Sequence, residues 1–261
     1  MRKIKLLENE ILVLRTSDED GKSHDGFQWP SRGRVSAPDW NGKPNCGGGL
    51  HGLPRGCGDG SLLNWDNDAT AQLVIVDASR DYLEFDEKCK FKSGRVVFSK
   101  RNAFYEAIEI LCTVYPDLPI VGRRAAAGDG GTATAGYFGT ATAGDCGTAT
   151  AGYFGTATAG YCGTAAAGDY GTATAGDYGT AAAGDYGTAT AGDYGTAAAG
   201  DGGTAAAGYG GTAAAGDYGI LVIKWRDANR YRISVGYVGE DGIEPNKKYK
   251  LNNVGQFILA D

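Results

Sequence analysis

The sequence predicts a β-solenoid with two octapeptides per sixteen-residue coil, flanked by an N-terminal α+β domain and a C-terminal β cap. Three observations carry this. Eleven unbroken copies of G-T-A-[TA]-A-G-[DY]-[YFCG] run over residues 131–218, and a fixed short period marks stacked units that bury their faces only against neighbours. The strict phase of every Thr and Gly argues against a disordered Gly/Ala-rich linker. Ordinary globular composition resumes on either side, which sets domains at 1–122, 123–219 and 220–261.

Within each octad the T-A-T-A run alternates, so Thr side chains point one way and Ala methyls the other. Ala inside means a thin core, and Gly at each end permits tight corners. Eight residues cannot close a turn around a core, so the coil is two octads. The substitutions agree. Sixteen apart, the last octad positions read Phe138, Phe154, Tyr170 and Tyr186 on one register, and Cys146, Cys162, Tyr178 and Tyr194 on the other. Like stacks on like, as in-register ladders prefer. Five and a half coils at about 4.8 Å each give a rod of roughly 26 Å.

The stretch Ala175-Gly176-Asp177-Tyr178-Gly179-Thr180 resembles the octapeptides of bacterial ice nucleation proteins, approximately A-G-Y-G-S-T-x-T. The resemblance covers about a third of the chain. The repeat is also similar to the head repeats of trimeric adhesins, which wind short Gly/Ala strands into a β-roll with a period other than eight.

Three surface columns follow from the coil. Four T-x-T rungs, Thr140/Thr142, Thr156/Thr158, Thr172/Thr174 and Thr188/Thr190, form a two-column threonine array, the regularity that an ice-binding face needs. Thr is also simply a β-former suited to a solvent-facing strand. Tyr170, Tyr178, Tyr186 and Tyr194 form aromatic columns. Facing outward they are an association surface; facing inward they fill the corners. Asp169, Asp185, Asp201 and Asp217, with Asp177 and Asp193 opposite, form carboxylate columns that splay into water or share cations. Calcium-binding solenoids place Asp in a different nonapeptide, so no metal site is assigned.

The net charge of −6 comes from this array, which carries seven Asp and no base and leaves 24 acids against 25 bases elsewhere. Neither end is strongly basic, so duplex nucleic acid is not an expected partner. The first residues lack a long apolar run, and no signal peptide or membrane span is read. Six dispersed cysteines do not make a disulfide scaffold, and the cytoplasm of a bacterial host cell is the expected location. Cys146 and Cys162 fall one coil apart, within disulfide range; a reducing compartment keeps them as stacked thiols.

In the N-terminal domain, residues 11–15 and 71–76 read as buried strands, and 82–91 with 95–98 as a strand pair. Ser99 is placed to cap a helix through residue 114 whose apolar face is Phe104, Ala107, Ile108, Leu111 and Val114, ended by Pro116 and Pro119. The string Cys46-Gly-Gly-Gly-Leu50-His51 has the pattern C-x-x-G-L-H. It resembles an uncharacterised module of phage and gut-bacterial proteins over roughly residues 12–111, which implies a phage or prophage origin and brings no activity. Three chemistries compete for the string. Gly47, Gly48 and Gly49 lack the strand-before, helix-after context of a phosphate loop. Zinc would use Cys46, His51, Cys57 and His24, without the usual paired knuckle. Arg15 at a strand end with His51 in a Gly-rich turn resembles the NAD-holding cleft of ADP-ribosyltransferases, but Glu106 and Glu109 sit on the helix and no catalytic Glu motif is present. The plain alternative is a loop whose His51 is satisfied internally.

Beyond the repeat, residues 219–225, 231–238, 249–251 and 257–259 read as strands, with a turn at 227–229. Open solenoid ends expose β edges, so a bulky cap is expected there, with the N-terminal domain closing the other end. Arg226, Arg230, Arg232, Lys247, Lys248 and Lys250 form a basic rim, available to an acidic partner. The expectation is therefore a non-catalytic binding or assembly protein without cofactor, homo-oligomeric through its repeats or sequestering a protein or small-molecule ligand. The alternatives are a nucleotide- or NAD-using transferase at Arg15 and His51, and an ice-binding protein.

Overall fold

The computed structural model describes residues 4–23 and 25–260. The chain divides into two compact units, Met1–Gly122 and Arg123–Asp261.

Among the described residues the first unit is a seven-stranded antiparallel sheet with one α-helix and a short 3-10 turn at Gly60–Leu62. Its strands are β1 (Glu10–Ser17), β2 (Gly33–Ser36), β3 (Leu50–Pro54), β4 (Thr70–Asp77), β5 (Tyr82–Phe85), β6 (Lys88–Phe91) and β7 (Ser93–Arg101), in the order β2-β7-β4-β1-β3-β6-β5. β1 and β4 are near-continuous apolar runs because both faces are covered. The expected single strand over 82–91 is a hairpin, turned at Asp86 and Glu87 with φ of 45° and 55°. Two positive-φ residues suit the twist of a hairpin, and here neither is Gly. Residues 95–98 pair with β4 and β2 rather than with that hairpin. Ser99 does not cap the helix: it lies within β7 opposite Gln72, and α1 (Phe104–Val114) begins after Ala103 without a side-chain cap. Ala107, Ile108 and Leu111 are its buried face, and it packs on β4 and β7.

The second unit is a β-solenoid of about six turns. Twelve short strands recur every eight residues, from β8 (Arg124–Ala126) to β19 (Thr212–Ala215), and alternate between two parallel sheets. Each residue pairs with the one sixteen further on, as in Thr140↔Thr156 and Thr156↔Thr172. The core is alanine: Ala141, Ala157, Ala173 and Ala189 from one sheet, Ala149, Ala165, Ala181 and Ala197 from the other, all fully buried. The two glycines of each octad are dictated by this packing. A Cβ on Gly179 would stand 2.8 Å from that of Ala175, and one on Gly184 2.0 Å from Asp169 Oδ1.

At the C-terminal end the alanine core gives way to Leu221, Ile223, Val238, Ile243 and Tyr249. β20 (Ile220–Arg226) continues one sheet in parallel and is followed by antiparallel β21 (Tyr231–Tyr237); β22 (Tyr249–Leu251) and β23 (Phe257–Leu259) close the other sheet. These larger side chains end the solenoid as a cap, within the same compact unit. Among the described residues no helix is long and apolar enough to cross a membrane.

Candidate functional site

Each unit carries one feature with chemical potential. In the first, the strand order puts β3 between β1 and β6, so Arg15, His51 and the lysines of β6 arrive on three adjacent strands. Arg15 and His51 line one cavity of about 770 Å³, together with Lys88, Phe27 and the triplet Gly47, Gly48 and Gly49. Arg15 is not at the strand end; it is the sixth of eight residues in β1, opposite Gln72. His51 is not in the loop but in β3, opposite Lys90.

Arg15 is 9% exposed, with its guanidinium carbon 3.6 Å from the centroid of the Trp29 ring. Its Nη2 donates to Thr16 O and Ser23 Oγ at 3.1 and 3.0 Å, and Ser23 Oγ also accepts from Trp29 Nε1. Burial lowers the Arg15 pKa to about 9, against the pull of Asp25. Arg15 Nε and His51 Nε2 are buried without a partner, and an unpaired buried polar atom costs about 1–3 kcal/mol. Burial, then the charges of Lys90, Lys88 and Arg15, hold His51 below the ordinary histidine value, so it is neutral at pH 7. The Asn45 backbone opposes this shift in part.

Lys90 was missed from the sequence. The alternation Lys88-Cys89-Lys90-Phe91 gives both lysines the look of a solvent face, yet Lys90 is fully buried. Its Nζ lies 2.6 Å from Asn41 Oδ1 and 2.8, 3.2 and 2.7 Å from the carbonyls of Lys43, Asn45 and Gly47. This lysine pins the glycine loop from beneath. The three glycines have φ of 84°, 64° and 155°, and a Cβ on Gly49 would lie 2.9 Å from Lys90 Cε. The loop is thus built to wrap a buried ammonium, and not as a helix-opening phosphate cradle.

The other sequence candidates separate. Cys57 lines a different depression from Cys46 and His51, so the three zinc candidates within the described residues do not converge. Among the described residues no group of three or more His, Cys, Asp or Glu is placed to hold a metal ion; His24 lies outside them. Glu106 pairs with Lys100, and neither Glu106 nor Glu109 lines the cavity. The carboxylates there are Asp25 and Asp39, both exposed at the rim, with Asp39 Oδ2 accepting from Gly48 N–H.

On the solenoid, the aromatic columns face outward. Phe138, Phe154, Tyr170 and Tyr186 stack with centroids 5.1–5.2 Å apart, and Tyr178 stacks on Tyr194 at 5.2 Å. Tyr170, Tyr178, Tyr186 and Tyr194 are 47%, 55%, 62% and 52% exposed. Tyr137 and Tyr153 widen the first column with a stack of their own at 5.2 Å; their place at the seventh octad position is legible in the sequence. Thr140, Thr142, Thr156, Thr172, Thr188 and Thr190 are exposed and Thr158 and Thr174 half-buried, all in register on one sheet. Six of the seven aspartates of the array reach the next coil: Asp169 Oδ1 accepts from Asp185 N–H at 3.0 Å, Asp185 from Asp201 at 2.9 Å and Asp201 from Asp217 at 2.9 Å, and Asp145, Asp177 and Asp193 do the same. Lys224 pairs with Asp193 at 2.6 Å. Cys146 and Cys162 are exposed free thiols.

The comparisons add one finding to this geometry. No curated protein and no solved structure matches the chain. Residues 11–110, which include the cavity's strands, match the family model described as a domain of unknown function (DUF7666).

Proposed function

We propose that this chain is a binding and assembly protein whose solenoid associates with further copies through its aromatic columns. One observation carries the reading. The eighth octad position requires φ near +55°, where Gly is the conformationally favoured residue, and the chain uses Gly there at 130, 202 and 210. At nine other octads it instead places Phe138, Cys146, Phe154, Cys162, Tyr170, Tyr178, Tyr186, Tyr194 and Tyr218 at φ of 52–59°. A left-handed conformation costs an L-residue about 1–2 kcal/mol. Stacking along the column offsets part of that, at about 0.5–1.5 kcal/mol per ring pair. It gives no reason for large rings to stand half in water. A contiguous exposed apolar stripe is the ordinary mark of an interaction surface, and a repeated, in-register stripe suits a second copy of itself.

The test is the solution mass by light-scattering chromatography. Phe154→Gly, Tyr170→Gly and Tyr186→Gly together remove three of the four rings of the longer column with a residue that accepts the backbone. We expect a defined oligomer for the parent chain and a monomer for the triple variant with unchanged circular dichroism. A parent that stays monomeric, or an oligomer indifferent to the triple change, removes the proposal.

A further inference from the structure

The assembly reading leaves the cavity of the first unit without a task. Of the four buried side-chain polar atoms without a partner among the described residues, two, Arg15 Nε and His51 Nε2, belong to its lining. The charges are arranged by depth. Arg15 is buried, Lys88 is half-buried and Lys90 is enclosed behind the glycine loop, while Asp25 and Asp39 are exposed. The interior is cationic and the entrance acidic. Arg15 Nη2 is committed to Thr16 O and Ser23 Oγ, which leaves Nε of a guanidinium fixed over an indole without a partner, a charged donor of the kind that suits oxyanions. His51 Nε2, buried without a partner, is left to pair with a polar group such as a hydroxyl, which can donate or accept. Phe27, Leu62 and Leu63 supply an apolar wall, and about 770 Å³ falls in the range of small-molecule sites.

We infer that this cavity binds a small hydroxylated phosphate monoester, with the phosphate toward Arg15 and Lys88, a hydroxyl paired with His51 Nε2, and the remaining body against Phe27, Leu62 and Leu63. Two sources share this chemistry, a nucleotide and a sugar phosphate. The inference does not depend on self-association, and its test is a different measurement.

Calorimetric titration of the full chain with AMP, ribose 5-phosphate, adenosine and inorganic phosphate examines it. At least one of the two phosphate esters should bind about tenfold or more tightly than either adenosine or inorganic phosphate. Tighter binding of AMP identifies a nucleotide seated on the apolar wall; tighter binding of ribose 5-phosphate identifies a sugar phosphate; both support the site. Lys88→Glu, a change at a half-buried position, should weaken the ester about tenfold and leave the melting temperature in place. His51→Leu should weaken the ester while leaving inorganic phosphate unaffected. No saturation by either ester up to about 10 mM, adenosine binding as well as AMP, or an affinity unchanged by Lys88→Glu would overturn the inference. Arg15→Gln is kept as a secondary variant because its loss strips the packing over Trp29.

Discussion

The two units of this chain solve the same problem with opposite cores. In the first, Leu12, Leu14, Leu53, Leu73, Phe91, Leu111 and Ile120 are fully buried, and each such side chain contributes about 1.5–3 kcal/mol on leaving water. In the solenoid the core columns are alanines, each burying one methyl. The difference is made up along the coil axis. Backbone ladders join every coil to the next, aspartates add side-chain bonds over the corners, and rings stack outside. The first unit is held by what it hides, the second by what it repeats. The repeating unit is therefore free to vary where it faces water, while the first unit concentrates its chemistry in one cavity.

The sharpest way to break this comparison is to exchange the core residues. Leu73→Ala leaves a void under a sheet and should destabilise the first unit by about 2–5 kcal/mol. Ala173→Leu inserts a large group where the two sheets leave no room, and should cost the solenoid about 1–3 kcal/mol through overpacking. Denaturant unfolding reads the first through Trp29, Trp40 and Trp65, all in the first unit. Hydrogen exchange of the coils around residue 173 reads the second. If Ala173→Leu were neutral or stabilising, the alanine core would be loose and the contrast would fail.

A smaller effect tests the corner bonds. Asp201→Ala removes the acceptor for Asp217 N–H and should cost about 0.5–1.5 kcal/mol, with faster exchange of that amide. Asp201→Asn keeps an acceptor oxygen and should preserve its protection. Gly216→Ala attacks the same bond from the other side, since its Cβ would stand 2.1 Å from Asp201 Oδ1. Equal exchange in all three would make the aspartates ornaments of the surface rather than struts.

This contrast also governs what was legible in the sequence. In the solenoid the period alone yields sixteen residues per coil, the inward alanines and the outward threonines, because every residue's neighbour is the same residue sixteen away. The direction of the aromatic columns was open, since it depends on the sign of φ at the eighth position, a backbone property that Tyr does not announce. The aspartates' bonds to the next coil were not legible, because pairwise repulsion is visible in a sequence and a neighbouring coil's N–H is not. In the first unit, β1, β4 and the body of α1 were legible as apolar runs. The β5–β6 turn was not, because Asp86 and Glu87 take positive φ without a Gly to signal it. The cavity was half legible: Arg15 and His51 were singled out by residue type. Lys90, which shapes the loop over them, was hidden because its burial depends on four acceptors gathered from the 41–47 segment.

The smallest expected effect sharpens the comparison from the electrostatic side, since the solenoid coils contain no histidine and the first unit holds both of the chain's. His51 has a folded pKa below the ordinary value, caused first by burial and then by Lys90, Lys88 and Arg15. Its unfolded value is near 6.5. The unfolded chain therefore takes up the proton first as pH falls. Between about 6.5 and the lower folded value, stability of the first unit must drop with falling pH; above that window His51 contributes no slope. Denaturant midpoints followed by tryptophan fluorescence at pH 7.5 and 5.5 measure this. The parent should lose more than His51→Gln over that interval, and the difference between them removes the titration of His24 and of the carboxylates. Equal losses would mean that neither burial nor the three cations depresses the imidazole, and that the cavity exerts no more on it than water does.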